Sequence, residues 1–267
     1  MWLAGKKALI TGSSSGIGLG AAQAFVRAGA AVVVTSERPL SDLPEIASLT
    51  DGGNAHYVQA DMTKEGEPAR LVDKAWEKLG GFSILVNNVG TFREPGFLDL
   101  SWKNFEFVFR LNVWSSVAAT QQFVKRARQA GQGGRILFTT SLNGTRSEPA
   151  HTLYDASKGA INALTRQLAV ELAPDFTTVA IAPGLVETPL TDMGLRSDPA
   201  ARQAILDQIP VRRIASVDDL AQWYVFLASD AAGYATGNII TVDGGLDAQQ
   251  MPSRPLSGGE QEIARPA

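Results

Sequence analysis

Short apolar runs alternate with longer amphipathic stretches along almost the whole chain. Residues 7–11 (KALIT), 31–35 (AVVVT), 56–60 (HYVQA), 83–86 (SILV), 135–139 (RILFT), 178–181 (TVAI) and 239–242 (IITV) read as strands. Most are continuous Val, Ile and Leu runs, the pattern of strands covered on both faces. Residues 21–28, 65–79, 102–128, 155–173 and 217–228 read as helices. In 65–79 the positions Ala69, Val72, Trp76 and Leu79 recur at helical spacing, which assigns Trp76 to the core. Residues 102–128 read as one long helix whose apolar face is interrupted by Asn112, a polar amide that needs partners. Residues 41–53 read as loop with a short helix. Residues 191–210 are polar and mixed, and suit a lid over a ligand. Strand and helix alternate throughout, so parallel βαβ units account for the chain. No repeat or linker divides residues 1–250, which read as one domain. Residues 251–267, rich in Pro, Gly, Ser and Glu, read as a mobile tail.

Composition narrows the classes. The 267 residues carry a net charge of −3, which gives no reason to expect a nucleic-acid or membrane partner. The chain has no cysteine, which excludes disulfides, thiolate metal sites and a Cys nucleophile. Its two histidines, His56 and His151, argue against a zinc site, so no metal is expected. No apolar run approaches the ~18 residues of a membrane span. The N-terminus shows no signal-peptide layout, so a soluble cytoplasmic protein is the expectation.

The candidate chemistry sits just after the strands. After the first comes GSSSGIG, then a helix. Gly12, Gly16 and Gly18 let the backbone turn and approach a pyrophosphate, with Ser14, Ser15 and Ile17 between them at a helix N-terminus. After the second come Ser36, Glu37 and Arg38. A carboxylate there accepts from ribose hydroxyls and repels a 2′-phosphate, whereas an Arg pairs with that phosphate, so these residues leave NAD and NADP both open. Asp61, next to Met62 after the third strand, suits an adenine contact or a helix cap equally. After the fourth strand comes a second small-residue turn, Asn88-Val89-Gly90. Ser141 follows the fifth. Tyr154 and Lys158 lie four apart, one helical turn from each other. A free phenol is a poor base at neutral pH, since its pKa is ~10; a fixed ammonium beside it favours the phenolate.

Taken in order, TGSSSGIG, NNVG, Asn112 in LNV, Ser141, Tyr154-x-x-x-Lys158, Pro183-Gly184 and VDGG resemble a short-chain dehydrogenase/reductase across about residues 5–247. The resemblance implies a Rossmann-like, doubly wound sheet of seven parallel strands with helices on both faces. It implies hydride transfer between NAD or NADP and a carbonyl or secondary alcohol. Tyr154 would be the general acid/base, and Lys158 would lower its pKa and bond the nicotinamide ribose. Ser141 would orient the reacting oxygen, and Asn112 would hold a water in a proton relay. The glycines would approach the pyrophosphate, and Asn88 and Gly90 would line the adenosine side. Val186 and Thr188 would touch the carboxamide. Val89 stands where the family usually has Ala. Ser15 replaces the basic residue of many NADP users, and Ser36 replaces the Asp of many NAD users; Arg38 tips the balance narrowly to NADP.

For the substrate, Arg93, Trp114, Asn143, Arg146, Glu148, His151 and Glu187 are candidate pocket positions, with residues 191–204 as lid. Their polarity suits a sugar, polyol or sugar acid. A 3-oxoacyl thioester reductase is the alternative, and a non-catalytic dinucleotide-binding regulator a second. The resemblance also implies a homotetramer or homodimer built through the helices of Asn112 and Lys158. Phe105, Phe109, Val113 and Val117 there suit core or interface.

Overall fold

The structure, a computed structural model, describes residues 1–191 and 198–249. The predicted tail, and residues 192–197 of the predicted lid, lie outside the described residues. Seven strands form one parallel sheet in the order β3-β2-β1-β4-β5-β6-β7. They are β1 (Lys7–Ile10), β2 (Ala31–Ser36), β3 (Ala55–Gln59), β4 (Ile84–Asn87), β5 (Gly134–Thr139), β6 (Phe176–Pro183) and β7 (Ile239–Val242). Alternate residues feed two cores. Ala8, Ile10, Val32, Val34, Ile84 and Val86 face α1 (Gly16–Arg27), α2 (Pro44–Asp51) and α8 (Val217–Ala228). Leu9, Val33, Leu85, Ile136 and Phe138 face α3 (Glu67–Leu79), α5 (Ser115–Gln129) and α6 (Thr152–Glu171). This two-sided burial is why the strands read as unbroken apolar runs. Trp76 is partly buried and packs on Phe82 with ring centroids 5.4 Å apart.

Three boundaries differ from the reading of the sequence. Helix α1 begins at Gly16, inside the Gly-rich loop, because its glycines serve packing: a Cβ at Gly20 would stand 2.0 Å from Val217 Cγ1 of α8. Helix α6 begins at Thr152, so Tyr154 lies within its first turn. The long helix is not uniform. It runs as α4 (Trp102–Phe109), then a π turn at Arg110–Trp114, then α5. The extra residue in that turn carries Asn112 into the interior, where it is 1% exposed. The segment 191–210 contains α7 (Pro199–Leu206), whose N-terminus Asp198 caps through Ala200 and Ala201.

Candidate active site

A cavity of about 330 Å³ lies at the carboxyl ends of β1, β4, β5 and β6, where the strand order reverses between β1 and β4. Gly12, Ser14, Ser15, Gly16 and Ile17 line one part of it, and Tyr154 and Lys158 another. Glu37, Val89, Gly90, Pro183, Gly184, Val186 and Thr188 also line it. The cradle fits a dinucleotide. The N-terminus of α1 has no side-chain cap and no acidic residue in its first turn, so its N–H groups and partial positive charge are left for an anion. Gly12 is in the left-handed region, φ 59°, and a Cβ there would stand 2.8 Å from Val89 Cα.

The loop is braced from below. Ser13 Oγ accepts from Thr35 N at 2.8 Å and donates to Ile10 O. Asn88 Nδ2 donates to Gly12 O at 2.9 Å and Thr11 O at 3.2 Å, and its Oδ1 accepts from Thr139 Oγ1 at 3.0 Å. Buried Tyr224 meets the same Thr139 hydroxyl at 2.6 Å. The Asn88 amide is thus committed to the loop and to β5, and Asn88 lines the cavity as expected. Gly18 does not line the cavity. It lies beneath the loop, where a Cβ would stand 2.2 Å from Gly12 O and 2.5 Å from Asn88 Nδ2.

At the other end, Tyr154 and Ser141 line the cavity together, and the Ser141 hydroxyl donates to Asn143 Oδ1 at 3.3 Å and accepts from Asn143 N at 3.2 Å. Lys158 is buried, lies 5.5 Å from the Tyr154 ring centroid, and donates to Thr139 O at 3.0 Å. Asn112 Oδ1 accepts from Thr91 N at 2.9 Å, and its Nδ2 donates to Thr91 O at 2.9 Å and Ser157 Oγ at 3.0 Å. A Cβ on Gly90 would stand 3.3 Å from Asn112 Oδ1, close enough to press on that amide, and in ordinary contact with Lys158 Nζ at 3.5 Å.

A family model described as enoyl-(acyl carrier protein) reductase, one of the short-chain dehydrogenase/reductase models, matches residues 12–247. The chain belongs to the short-chain dehydrogenase/reductase family. It is 38% identical over 259 residues to the oxidoreductase UcpA of Salmonella typhimurium, covering 91% of this chain and 95% of the relative. It is 33% identical over 248 residues to the 3-oxoacyl-[acyl-carrier-protein] reductase FabG of Aquifex aeolicus, covering 91% and 98%. Among solved structures, a proposed 2-deoxy-D-gluconate 3-dehydrogenase from Agrobacterium tumefaciens with bound NADP superposes with a TM-score of 0.83 at 35% identity. That match covers 92% of this chain and 98% of the other.

As an oxidoreductase of this family, the protein binds a nicotinamide dinucleotide, which supplies the carbon that takes or gives hydride. The proton is left to the chain. Burial pushes the Tyr154 phenol up, the hydrogen bond to Ser141 opposes it, and the nearby charges of Glu148 and Asp155 add to the rise. The expected lowering by Lys158 is not seen in this geometry. Burial pushes the lysine itself down to about 8, and its ammonium is bonded to Thr139 O, 5.5 Å from the phenol ring centroid. A protonated phenol beside Ser141 is equipped to give its proton to an alkoxide.

Glu94, which carries no motif, reaches the same helix. Its carboxylate accepts from Leu153 N at 3.0 and 2.9 Å and from Tyr154 N at 3.3 Å, at a helix start where His151 provides no side-chain cap. Thr91, held by Asn112, begins the same loop, and Phe92 meets the Tyr154 ring edge-on at 6.1 Å. Residues 91–94 therefore tie the π turn to the tyrosine. Glu94→Ala is expected to lower kcat about tenfold with KM little changed, and to cost about 1 kcal/mol of stability. Glu94→Gln, which keeps an acceptor, should recover most of both. Steady-state kinetics with a thermal melt checks this; equal loss in the two variants would remove the positioning role.

Several predicted positions lie elsewhere. Ser36 is buried, with its hydroxyl on Glu37 and on Arg38 N. The Arg38 guanidinium donates to Asp42 O, and neither residue lines the cavity. Asp61 holds Thr63 through its N–H at 3.0 Å and its hydroxyl at 2.6 Å, in a local turn, and does not line the cavity. Met62 packs in the core and lines a separate groove. Arg93 is exposed and outside the cavity. Glu187 pairs with Arg202 at 2.5 Å. Arg146 pairs with Asp247 at 2.6 Å and does not line the substrate cavity. Trp114 is 56% exposed in the separate groove. Thr91, Phe92, Thr139, Thr140 and Leu190 line the cavity without having been singled out; for Thr91 the signal was its place directly after NNVG.

Proposed function

We propose that this oxidoreductase interconverts a secondary alcohol and a carbonyl on a sugar, polyol or sugar acid, with Tyr154 as proton donor and acceptor and Ser141 orienting the oxygen. Lys158 and Asn112 complete the group. The observation that carries this reading is a second cavity, about 320 Å³, that opens from Tyr154 and Ser141. Asn143, Glu148, His151 and Gln208 form a polar wall. Leu142, Leu185, Ile205, Ile209 and Leu246 form an aliphatic one, so the polarity expected from sequence holds for one side only. A volume near the lower end of the ~300–1,000 Å³ range of ligand pockets suits a small hydroxylated compound better than a long chain. The gluconate-type structure described above supports this, whereas the FabG relative and the aliphatic wall favour the second reading, a 3-oxoacyl thioester reductase.

Between the cofactors we infer that both are accepted and that NAD is favoured, a reversal of the narrow preference drawn from Arg38. Glu37 lines the cavity, and Arg38 turns its guanidinium to Asp42 O. A carboxylate at that end accepts from ribose hydroxyls and opposes a 2′-phosphate. One absorbance screen at 340 nm tests both points, pairing sugars, polyols and sugar acids with each oxidised cofactor and acetoacetyl thioesters with each reduced one. The expected result is turnover of a hydroxylated compound with kcat/KM about tenfold higher for NAD. Turnover of thioesters alone sinks the sugar or polyol reading, and a preference for NADP sinks the inference of NAD. We also propose assembly as a homodimer or homotetramer through α4 and α5. Trp102, Phe105 and Phe109 form a stacked, partly exposed ladder there, with centroids 5.1 and 4.5 Å apart.

A further inference from the structure

Helix α8 buries Leu220, Ala221, Val225, Leu227 and Ala228, and with them one phenol, Tyr224, which is 0% exposed. A buried hydroxyl needs a partner, and this one meets Thr139 Oγ1 at 2.6 Å. The direction of that bond follows from the far end of the chain of bonds it belongs to. Asn88 Nδ2 lies 3.2 Å from Thr11 O and 2.9 Å from Gly12 O. Two carbonyls can only accept, so the amide turns its NH₂ to the loop and its oxygen to Thr139. Asn88 Oδ1 can only accept as well, so the single Thr139 hydroxyl proton goes to it, at 3.0 Å. Tyr224 must therefore be the donor to Thr139. Burial pushes its phenol up, which keeps that proton in place.

We infer that Tyr224 is a positioning residue for the dinucleotide site. It fixes the Thr139 hydroxyl, and through Thr139 and Asn88 it fixes the Gly12 carbonyl beneath the pyrophosphate loop. Tyr224 itself lines neither the cofactor cavity nor the substrate cavity. Each bond in the series leaves the next group one orientation, so the series transmits order over a distance no single side chain spans. Thr139 is where two faces of the sheet meet. Its side chain takes the phenol of α8 from one face, and its carbonyl accepts from Lys158 Nζ of α6 on the other, at 3.0 Å. The inference concerns cofactor binding and holds whichever substrate the enzyme takes.

The test uses the full chain and the variants Tyr224→Phe, Thr139→Val and the two combined. Kd for NADH and for NADPH is measured by fluorescence titration, and a thermal melt is recorded without cofactor. Tyr224→Phe keeps the ring and removes the hydroxyl; Kd should rise about fivefold, the size of one lost hydrogen bond. Thr139→Val keeps the carbonyl that holds Lys158 but removes the hydroxyl that orders Asn88, and Kd should rise about tenfold or more. The combined variant should bind no more weakly than Thr139→Val. It should also melt higher than Thr139→Val, because it no longer buries a phenol without an acceptor. A Kd for Tyr224→Phe equal to that of the unmodified protein overturns the inference, whatever its melting temperature. A further fivefold loss when Tyr224→Phe is added to Thr139→Val overturns it too, since the phenol would then act by packing and not through Thr139. Tyr224→Phe conserves shape, so its Kd decides the matter even if Thr139→Val fails to fold.

Discussion

Tyr154→Phe is expected to lower kcat about a thousandfold while leaving cofactor affinity within about twofold. The split follows from where the hydroxyl and the ring lie. The ring packs against Phe92 and His151 and lies beside Lys158, and phenylalanine preserves all three contacts. The hydroxyl shares this end of the cavity with Ser141, and it is the group there placed to move a proton to or from a substrate oxygen. Fluorescence titration of the reduced cofactor measures the first quantity and steady-state turnover the second. The pH profile adds a sign. Because burial raises the phenol, its ionised form is scarce at neutral pH. Alcohol oxidation, which needs the base, should rise as pH rises, and carbonyl reduction, which needs the acid, should fall on the alkaline side. The variant should lose both limbs. A variant that keeps a tenth of the original kcat would mean the proton moves by another route.

The second large effect concerns a position that never touches a ligand. Gly18→Ala sets two forces against each other. Helix propensity favours alanine inside α1 by about 1 kcal/mol. Packing opposes it, because the new methyl would stand 2.2 Å from Gly12 O and 2.5 Å from Asn88 Nδ2, one of them backbone. Overpacking of this kind costs about 1–3 kcal/mol or more, so packing prevails. The melting temperature should fall by about 4–8 °C for a net cost near 2 kcal/mol. The clash moves the carbonyl that shapes the pyrophosphate loop, so cofactor affinity should also fall about tenfold or more. Gly96→Ala is the control: a Cβ there meets nothing within 4 Å, and the change should stay within about 0.5 kcal/mol. Equal behaviour of the two variants would show that the loop does not depend on Gly18.

What could be read from the sequence had a local signal. Seven strands appeared as apolar runs because the sheet is covered on both faces. Tyr154, Lys158, Ser141 and the Gly-rich loop stood out because their spacing ties them to strand ends. The losses were long-range. Nothing near Glu94 in sequence indicates that its partners lie 59 and 60 residues away. Arg146 reads as a pocket position, but Asp247, 101 residues on, takes its guanidinium. Asn88 reads as a wall residue, but its bracing of Gly12 O and Thr139 has no local signal. The start of α1 was hidden because glycine is a weak helix former, and contact with α8 decides the matter.

The π turn at Arg110–Trp114 has a consequence for how this helix is compared between proteins. One residue too many has been threaded through it, so α4 and α5 are two phrases written in different reading frames. Upstream, the buried stripe is in phase with Val108; downstream, it is in phase with Ala119 and Phe123. An alignment that slides the whole segment to match one hydrophobic rhythm will be a residue out on the other side of Asn112. A single-residue deletion anywhere in the turn would restore an uninterrupted α ladder and a better helix on paper. It would also rotate the amide away from Thr91 and Ser157, so the irregularity is what an ancestor or a designed variant must inherit along with the asparagine.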